Sequence, residues 1–465
     1  VIPLSAREIE GFLERVEDAG EPAVAGPGEP LLDLAERWRA LGLRPGDLVL
    51  LGLPNGVGLL RHFFGVLMAG GVPALVAPGT PAARLRELAT VMGARALGAV
   101  RLPSEAVQQE RVDTIGGIEV GWFPPAPAPA ASEGEVVILT SGTSGFASGC
   151  VFGLDGLLRN AARHADAIGL REDDTMLVNL PLYFSFALVA QALATLVRGG
   201  RLVVSGPPFH APTYLKTLAE RAITVSSLTP VFVRTLLQGS AVFPDDLRLL
   251  SVGGDALGID HVAELLRRRP GRELYLTYGL TQAGPRVATL AAHTAPPERH
   301  GSVGVPLEGT RVTLEDLGDG SGRRQLLVSS DSVMRRRIGM IEGRPHDDWR
   351  APGVLATGDV FDEDGGYLYY RGRLSEYILR EGEKICLAAV RRVATQLPDV
   401  VSARTTVTTH EGGEDFDLTL FTGEAAEPKA PEVYRAHLGR TLRRGELPRR
   451  IEVVSLPTAA AFRYK

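Results

Sequence analysis

The stretch with the clearest chemical potential is a hydroxyl- and glycine-rich loop, Thr140, Ser141, Gly142, Thr143, Ser144 and Gly145, entered from a strand-like run at 136–139. Such a loop offers hydroxyls and unhindered backbone N–H groups on a concave surface, which suits phosphate. Phosphate loops usually add a cation, yet the next residues are Phe146, Ala147, Ser148 and Gly149. The chain contains no G-x-x-x-x-G-K-[ST], G-x-S-x-G, H-E-x-x-H or dinucleotide-binding glycine fingerprint, and its nine histidines show no ligand spacing. Taken alone, such a loop is more often a structural turn than a site.

The bulk numbers narrow the setting. A chain of 465 residues exceeds one ordinary domain. Its 45% hydrophobic and 23% charged residues are ordinary for a globular protein, and a net charge of -5 gives no reason to expect nucleic acid. Cys150 and Cys386 stand far apart and outside any C-x-x-C pattern, which argues against a disulfide framework or structural zinc and fits a reducing cytoplasm. Of the 50 Lys and Arg, only Lys216, Lys384, Lys429 and Lys465 are lysine, a skew that reads as GC-rich codon usage. Residues 177–197 carry no formal charge and approach the ~20 residues of a membrane span. Asn179, Pro181, Ser185 and Gln191 interrupt them, so a buried strand, loop and core helix is expected instead. No signal-peptide pattern is visible, and the chain starts without Met.

Around the loop, helical and strand-like patterns alternate. Residues 30–43 read as an amphipathic helix, 47–53 as a buried strand, and a helix follows through 69. Further strands are expected at 201–205, 223–228 and 249–252, with helices between them. This alternation predicts an α/β fold with parallel sheets. The Pro/Ala-rich 123–135 is expected to be a surface connection. Residues 273–284 give a strand and a polar turn, 303–328 short strands suited to a small β-barrel, and 363–373 a hairpin. A smaller α/β unit follows, so the expected division is 1–373 and 374–465.

The loop is one of nine motifs in order: "LTSGTSGFASG" (139–149), "LPLYFSFA" (180–187), "SVGGDAL" (251–257), "YGLTQAG" (278–284), "GSVGVPLEGTRV" (301–312), "LATGDVFDEDGGYLYYRGR" (355–373), "SEYILREGEKI" (375–385), "LPDVVSA" (397–403) and "LPTAAAFRYK" (456–465). The series resembles the adenylate-forming superfamily of acyl-CoA ligases, nonribosomal-peptide adenylation domains and luciferases. The resemblance implies two steps: ATP and a carboxylic acid give an acyl-adenylate, then a thiol, commonly that of coenzyme A, displaces AMP. It further implies a C-terminal domain that rotates between the steps. Asp359 resembles the acceptor for both ribose hydroxyls, and Arg373 the arginine on the ribose side. Tyr278, with Gly279, would lie along the adenine face beside the strip Gly253, Gly254 and Asp255, and Tyr370 would belong to the same adenylate site. Thr281 resembles the α-phosphate donor. Phe184 and Gly284 would border the acyl pocket. Ser375 occupies the hinge position, and Gly382 with Lys384 belongs to the turn that lines the thiol tunnel.

The residues for making the adenylate depart from the superfamily pattern. Ser148 stands where a lysine faces the leaving phosphates. Gln282 stands where a glutamate helps hold Mg²⁺, and a neutral amide is a poorer ligand for a hard dication. Arg463 replaces the lysine that bridges carboxylate and α-phosphate, and Phe462 replaces its preceding glycine. Arginine at 463 could be drift in an arginine-rich chain, although its planar fork does not replace a point ammonium. Drift explains neither Ser148 nor Gln282. The departures resemble those of a non-adenylating acyl-CoA ligase of the platensimycin-type diterpenoid pathway. The expected activity is therefore thioesterification of a preformed adenylate, supplied by a separate adenylating ligase, with ATP and Mg²⁺ needed only if adenylation survives. The alternatives are a complete ATP-dependent ligase and an inactive adenylate-binding scaffold. Arginines 267–269, 335–337 and 443–444 either meet CoA phosphates or form solvated surface, the latter being the expectation.

Overall fold

The computed structural model of the chain describes all residues except 1–4, 23, 25–28, 104–110, 125–130, 141–147, 240, 319, 321, 340–348, 381–382, 398, 411–412, 424–428, 443 and 456–465. Two eight-stranded sheets carry the first three-quarters of the chain. One runs in the order Val16–Asp18, Arg201–Val204, Thr175–Val178, Val225–Leu228, Leu249–Gly253, Glu273–Gly279, Arg286–Ala291 and Val305–Pro306. The first six of these strands are parallel, and the last two turn antiparallel. The other runs Arg336–Ile338, Ser148–Gly153, Glu135–Thr140, Val72–Leu75, Leu48–Gly52, Ala94–Ala99, Ile118–Trp122 and Val112–Ile115. Only its four middle strands, from Glu135–Thr140 to Ala94–Ala99, pair in parallel. The sheets are thus mixed, where the sequence pattern predicts parallel ones.

Burial on both faces explains why the strands read as apolar runs. In Leu48–Gly52, Val49 and Leu51 enter the large core shared by both sheets, while Leu48 and Leu50 enter a second core with Val72, Ala74 and Leu97. The uncharged run at 177–197 is strand, loop and helix, as expected: Thr175–Val178, then Ser185–Ala187, the π-helical Leu188–Leu193 and Ala194–Arg198. Among the described residues no helix is long and apolar enough to cross a membrane.

A third sheet is antiparallel. Arg311–Asp316, Arg324–Ser329, Val354–Asp364 and Trp349–Ala351 follow in that order, and Tyr367–Arg373 pairs with Val354–Asp364. Among the described residues this ladder is open: Arg311–Asp316 has one partner strand, so the segment expected to form a small barrel does not close on itself. Its hairpin turns at Gly365 and Gly366, whose φ values of 59° and 83° are the pair of positive angles that a tight two-residue turn requires. A bulge between Val360 and Phe361 then shifts the register by one residue, and beyond it Asp359 faces Arg373.

After Arg373 the chain makes a short turn, Leu374–Glu376, and then a hairpin, Tyr377–Arg380 with Glu383–Cys386. Helix Leu387–Ala394, the three strands Val400–His410, Gly413–Thr422 and Ile451–Ser455, and helix Pro431–Leu438 complete the chain. Ile378, Ile385, Val390, Phe416, Leu418 and Tyr434 form a core of their own, separate from the other two.

Candidate adenylate site

Asp359 sits in the bent strand Val354–Asp364, only 2% exposed. Its two carboxylate oxygens accept from different donors: Oδ2 from the Tyr278 hydroxyl at 2.6 Å and Oδ1 from Arg373 Nε at 2.8 Å. Tyr278 comes from the neighbouring sheet, at the end of Glu273–Gly279, and Arg373 from the opposite arm of the hairpin. Phe361 packs edge-on against Tyr278, with ring centres 4.7 Å apart, and Tyr370 closes the cluster at 5.5 Å from Phe361. Burial lifts the Asp359 carboxyl above its ordinary range, and this outweighs the opposing pull of Arg373 and of the Tyr278 hydrogen bond. The Asp359 charge holds Arg373 above its ordinary value in turn. An anionic acceptor with spare lone pairs, walled by aromatic rings, suits a ribose diol beside a planar base.

Tyr278 thus reaches Asp359 with its hydroxyl as well as offering a ring face. Gly253 ends strand Leu249–Gly253, and Gly254 and Asp255 follow as an exposed edge. Asp255 Oδ1 accepts from the Ala256 N–H at 2.8 Å. Gly279 and Gly284 bracket the tight turn that carries Thr281 and Gln282. Gly284 has φ 96°, and a Cβ there would lie 2.3 Å from the Ser332 carbonyl oxygen. Its place is therefore fixed by backbone packing, in addition to any part in the acyl pocket. The Thr281 and Ser185 hydroxyls are 3.1 Å apart, which ties the phosphate-donor candidate to the loop holding Phe184. Phe184 stacks obliquely on Tyr183 at 4.7 Å.

The phosphate end differs from expectation. Ser148 begins strand Ser148–Gly153 and is buried. Its hydroxyl lies 2.9 Å from that of Thr140, and it accepts from Arg337 Nη1 at 3.0 Å. Arg337 is positioned by the pairing of Arg336–Ile338 with Ser148–Gly153. A guanidinium therefore stands at the foot of the loop that lacks its own cation. Arg335 and Arg336 ion-pair with Glu135, itself 3% exposed, at 3.2 and 2.9 Å. Arg335 and Arg336 keep side chains 53% and 41% exposed while they pair with that buried carboxylate, so the expectation of solvated surface holds for these two, and Arg337 reaches inward to Ser148. Arg269 is also interior, with its side chain on the Leu247 carbonyl, whereas Arg267 and Arg268 pair with Glu264. Gln282 accepts from the Met334 N–H through its backbone carbonyl at 2.8 Å.

Ser141, Gly142, Thr143, Ser144, Gly145, Gly382, Arg443 and Arg463 lie outside the described residues. Ser375 lies in the turn Leu374–Glu376, and Lys384 stands opposite Leu379 in the hairpin register. Two residues escaped sequence reasoning. Arg337 carries no signal in a run of three arginines. Arg286 does carry one, as the only charged residue between Glu273 and His293.

Comparison with known proteins identifies the family. Residues 31–336 match the AMP-binding enzyme family. The 4-coumarate-CoA ligase 1 of Narcissus pseudonarcissus is 24% identical over 405 residues, 78% of this chain and 72% of that protein. A feruloyl-CoA synthase of an Amycolatopsis species is 29% identical over 400 residues, 79% of this chain and 76% of that protein. The structure of o-succinylbenzoate CoA synthetase from Bacillus subtilis, in complex with its acyl-adenylate intermediate, superposes with a TM-score of 0.78 at 20% identity, covering 96% of this chain and 94% of that one. With the family matched across two-thirds of its length and the same fold throughout, the chain belongs to the AMP-binding enzymes of the adenylate-forming superfamily.

Proposed function

We propose that the protein is an acyl-CoA ligase whose main or only step is thioesterification, turning acyl-adenylate and CoA into acyl-CoA and AMP. The observation that carries this reading is the asymmetry of the site. Asp359 has donors on both oxygens, while Ser148 and Gln282, at the positions that serve pyrophosphate and Mg²⁺, are neutral. In the step proposed, the CoA sulfur bonds to the acyl carbon and the bond from that carbon to the α-phosphate oxygen breaks. AMP leaves with the electron pair, and the thiol proton passes to solvent. Asp359 and Arg373 would hold the ribose, Thr281 would donate to the α-phosphate, and Gly382 and Lys384 would line the thiol path. The carboxyl-terminal unit, from Leu374 onward, would pivot at Ser375 to bring that path to the site. Gln282 offers Mg²⁺ an amide oxygen instead of a carboxylate, a weak fit for a hard dication.

A second reading, a complete ATP-dependent ligase, is favoured by Arg337. Its guanidinium on Ser148 returns a positive charge to the phosphate loop from another strand. Two assays separate the readings: exchange of labelled pyrophosphate into ATP with an acid panel, and conversion of synthetic acyl-adenylate plus CoA. The thioesterification reading expects turnover in the second and none in the first. Exchange at a rate matching the second assay establishes the complete ligase. Silence in both leaves an adenylate-binding scaffold.

A further inference from the structure

Arg286 opens strand Arg286–Ala291 and is 3% exposed. Its backbone is clamped to helix Leu154–Ala167: Asn160 Nδ2 donates to the Arg286 carbonyl at 2.8 Å, and the Arg286 N–H donates to Asn160 Oδ1 at 2.9 Å. The clamp fixes where the side chain starts. The guanidinium carbon lies 3.8 Å from the centre of the Phe186 ring, and a Cβ at Gly253 would come within 3.0 Å of Nη1. Nε and Nη2 are buried and have no hydrogen-bond partner among the described residues. No acid among the described residues pairs with Arg286; burial alone pushes its pKa down to about 9, so it stays charged at neutral pH. One helical turn beyond Asn160, His164 is fully buried with both ring nitrogens unpartnered. Burial and the Arg286 charge hold it neutral.

A cation buried without a partner costs several kcal/mol even after relaxation. Among the described residues the Phe186 ring face offsets part of that cost and no acid offsets the rest, yet the surroundings give the group an address. Phe186 adjoins Ser185, whose hydroxyl meets Thr281, and Gly253 borders the nucleotide strip. Arg286 therefore stands on the acyl side of the phosphate donor, next to where the acyl group of an adenylate would lie. We propose that Arg286, backed by His164, is an anion-recognising subsite of the acyl pocket, and that the acyl group handled here carries a second carboxylate remote from the one joined to AMP. This rests on the reading of the site as an acyl-adenylate site. A planar fork with unused N–H donors matches a carboxylate in two-point geometry. The Phe186 face holds the guanidinium in place and leaves Nε and Nη2 without an acceptor among the described residues.

The test uses non-hydrolysable acyl-sulfamoyl adenosines: succinyl, glutaryl and adipyl compounds, each against its methyl ester, titrated calorimetrically into the full chain with AMP as reference. The expected result is that one of the free acids binds roughly 10²-fold tighter than its ester, as for a desolvated charge pair. Arg286→Leu should erase that preference, and Arg286→Lys should keep part of it. Removing an unpaired buried charge should also leave the melting temperature of Arg286→Leu equal to or above the parent's. AMP binding with acid and ester bound equally by the parent overturns the subsite and leaves the adenylate reading standing. Failure of the parent to bind AMP or any analogue overturns the adenylate reading itself. A preference that survives Arg286→Leu, or a variant that melts well below the parent, makes Arg286 a packing residue and sinks the assignment.

Discussion

The two ends of the site are built differently. At the nucleotide end, a carboxylate 2% exposed receives donors from two sheets and sits among three aromatic rings. Every group there is charged, aromatic or hydrogen-bonded into place. At the phosphate end, the residues in the loop motif are neutral, and Arg337, which reaches Ser148, arrives from a strand nearly two hundred positions later. A pocket can lose the groups that stabilise a departing pyrophosphate and still hold the product of that reaction. Ground-state recognition and transition-state stabilisation draw on different residues, so sequence change can uncouple them.

The largest effect expected is at the nucleotide end. Asp359→Ala should cost roughly 2–5 kcal/mol of affinity for an acyl-sulfamoyl adenosine, since it removes an acceptor and strands Arg373 and Tyr278. Equal titration curves for variant and parent would break the comparison at its stronger side. The pH dependence sharpens the same point. Ribose hydroxyls need the ionised carboxylate, and burial raises the Asp359 pKa above its ordinary 3.8. Affinity should therefore be full at neutral pH and fall as pH drops through that raised value, earlier than for an ordinary aspartate. For the unliganded fold the sign is opposite, because burial disfavours the charged form. Asp359→Asn should bind weakly at all pH values and lack this titration.

The phosphate end should respond to gain of function. Gln282→Glu with Arg463→Lys restores a carboxylate ligand and a point ammonium, and pyrophosphate exchange should rise by roughly 10²-fold, the worth of one preorganised charge at a reacting centre. Thioesterification of a supplied adenylate should change little. A parent that already exchanges as fast as the double variant would show that the two ends differ in composition and not in competence.

How legible each end was follows from how its residues are connected. The Asp359–Arg373 pair falls on one hairpin, so a motif with a fixed internal spacing displays it and two glycines mark its turn, whereas the bulge that brings the two residues opposite each other leaves no such mark. The strands around it were visible because burial on both faces leaves unbroken apolar runs. The mixed pairing of the sheets and the open third sheet were not visible, because strand direction and closure depend on partners far along the chain. Glu135 was missed for the same reason, and Arg337 was read only as part of an arginine run expected at the surface. Neither belongs to a local pattern, and a buried carboxylate that gathers two arginines leaves no mark on the sequence around those arginines. Arg286 sat in plain view as a lone charge in an apolar stretch, but only the folded chain shows that no acid among the described residues pairs with it.

The smallest effect probes whether Arg337 has taken over for the missing lysine. Ser148 Oγ accepts from Arg337 Nη1, so a lysine placed at 148 would push its ammonium against a guanidinium already there. Ser148→Lys alone should therefore raise pyrophosphate exchange little in the Gln282→Glu, Arg463→Lys background, and should lower thermal stability through like-charge repulsion in a buried setting. Removing the rival charge with Arg337→Met should weaken exchange by itself, because the loop then has no cation. The two changes together should do better than their separate effects predict, with a coupling of about 1 kcal/mol, within the range for residues in direct contact. The measurement is a double-mutant cycle in exchange rate, with melting temperature as its companion. A coupling indistinguishable from zero would mean that Arg337 only anchors the strand on which it sits. The phosphate end would then lack a cation in function as well as in motif, and the contrast with the Asp359 end would be at its sharpest.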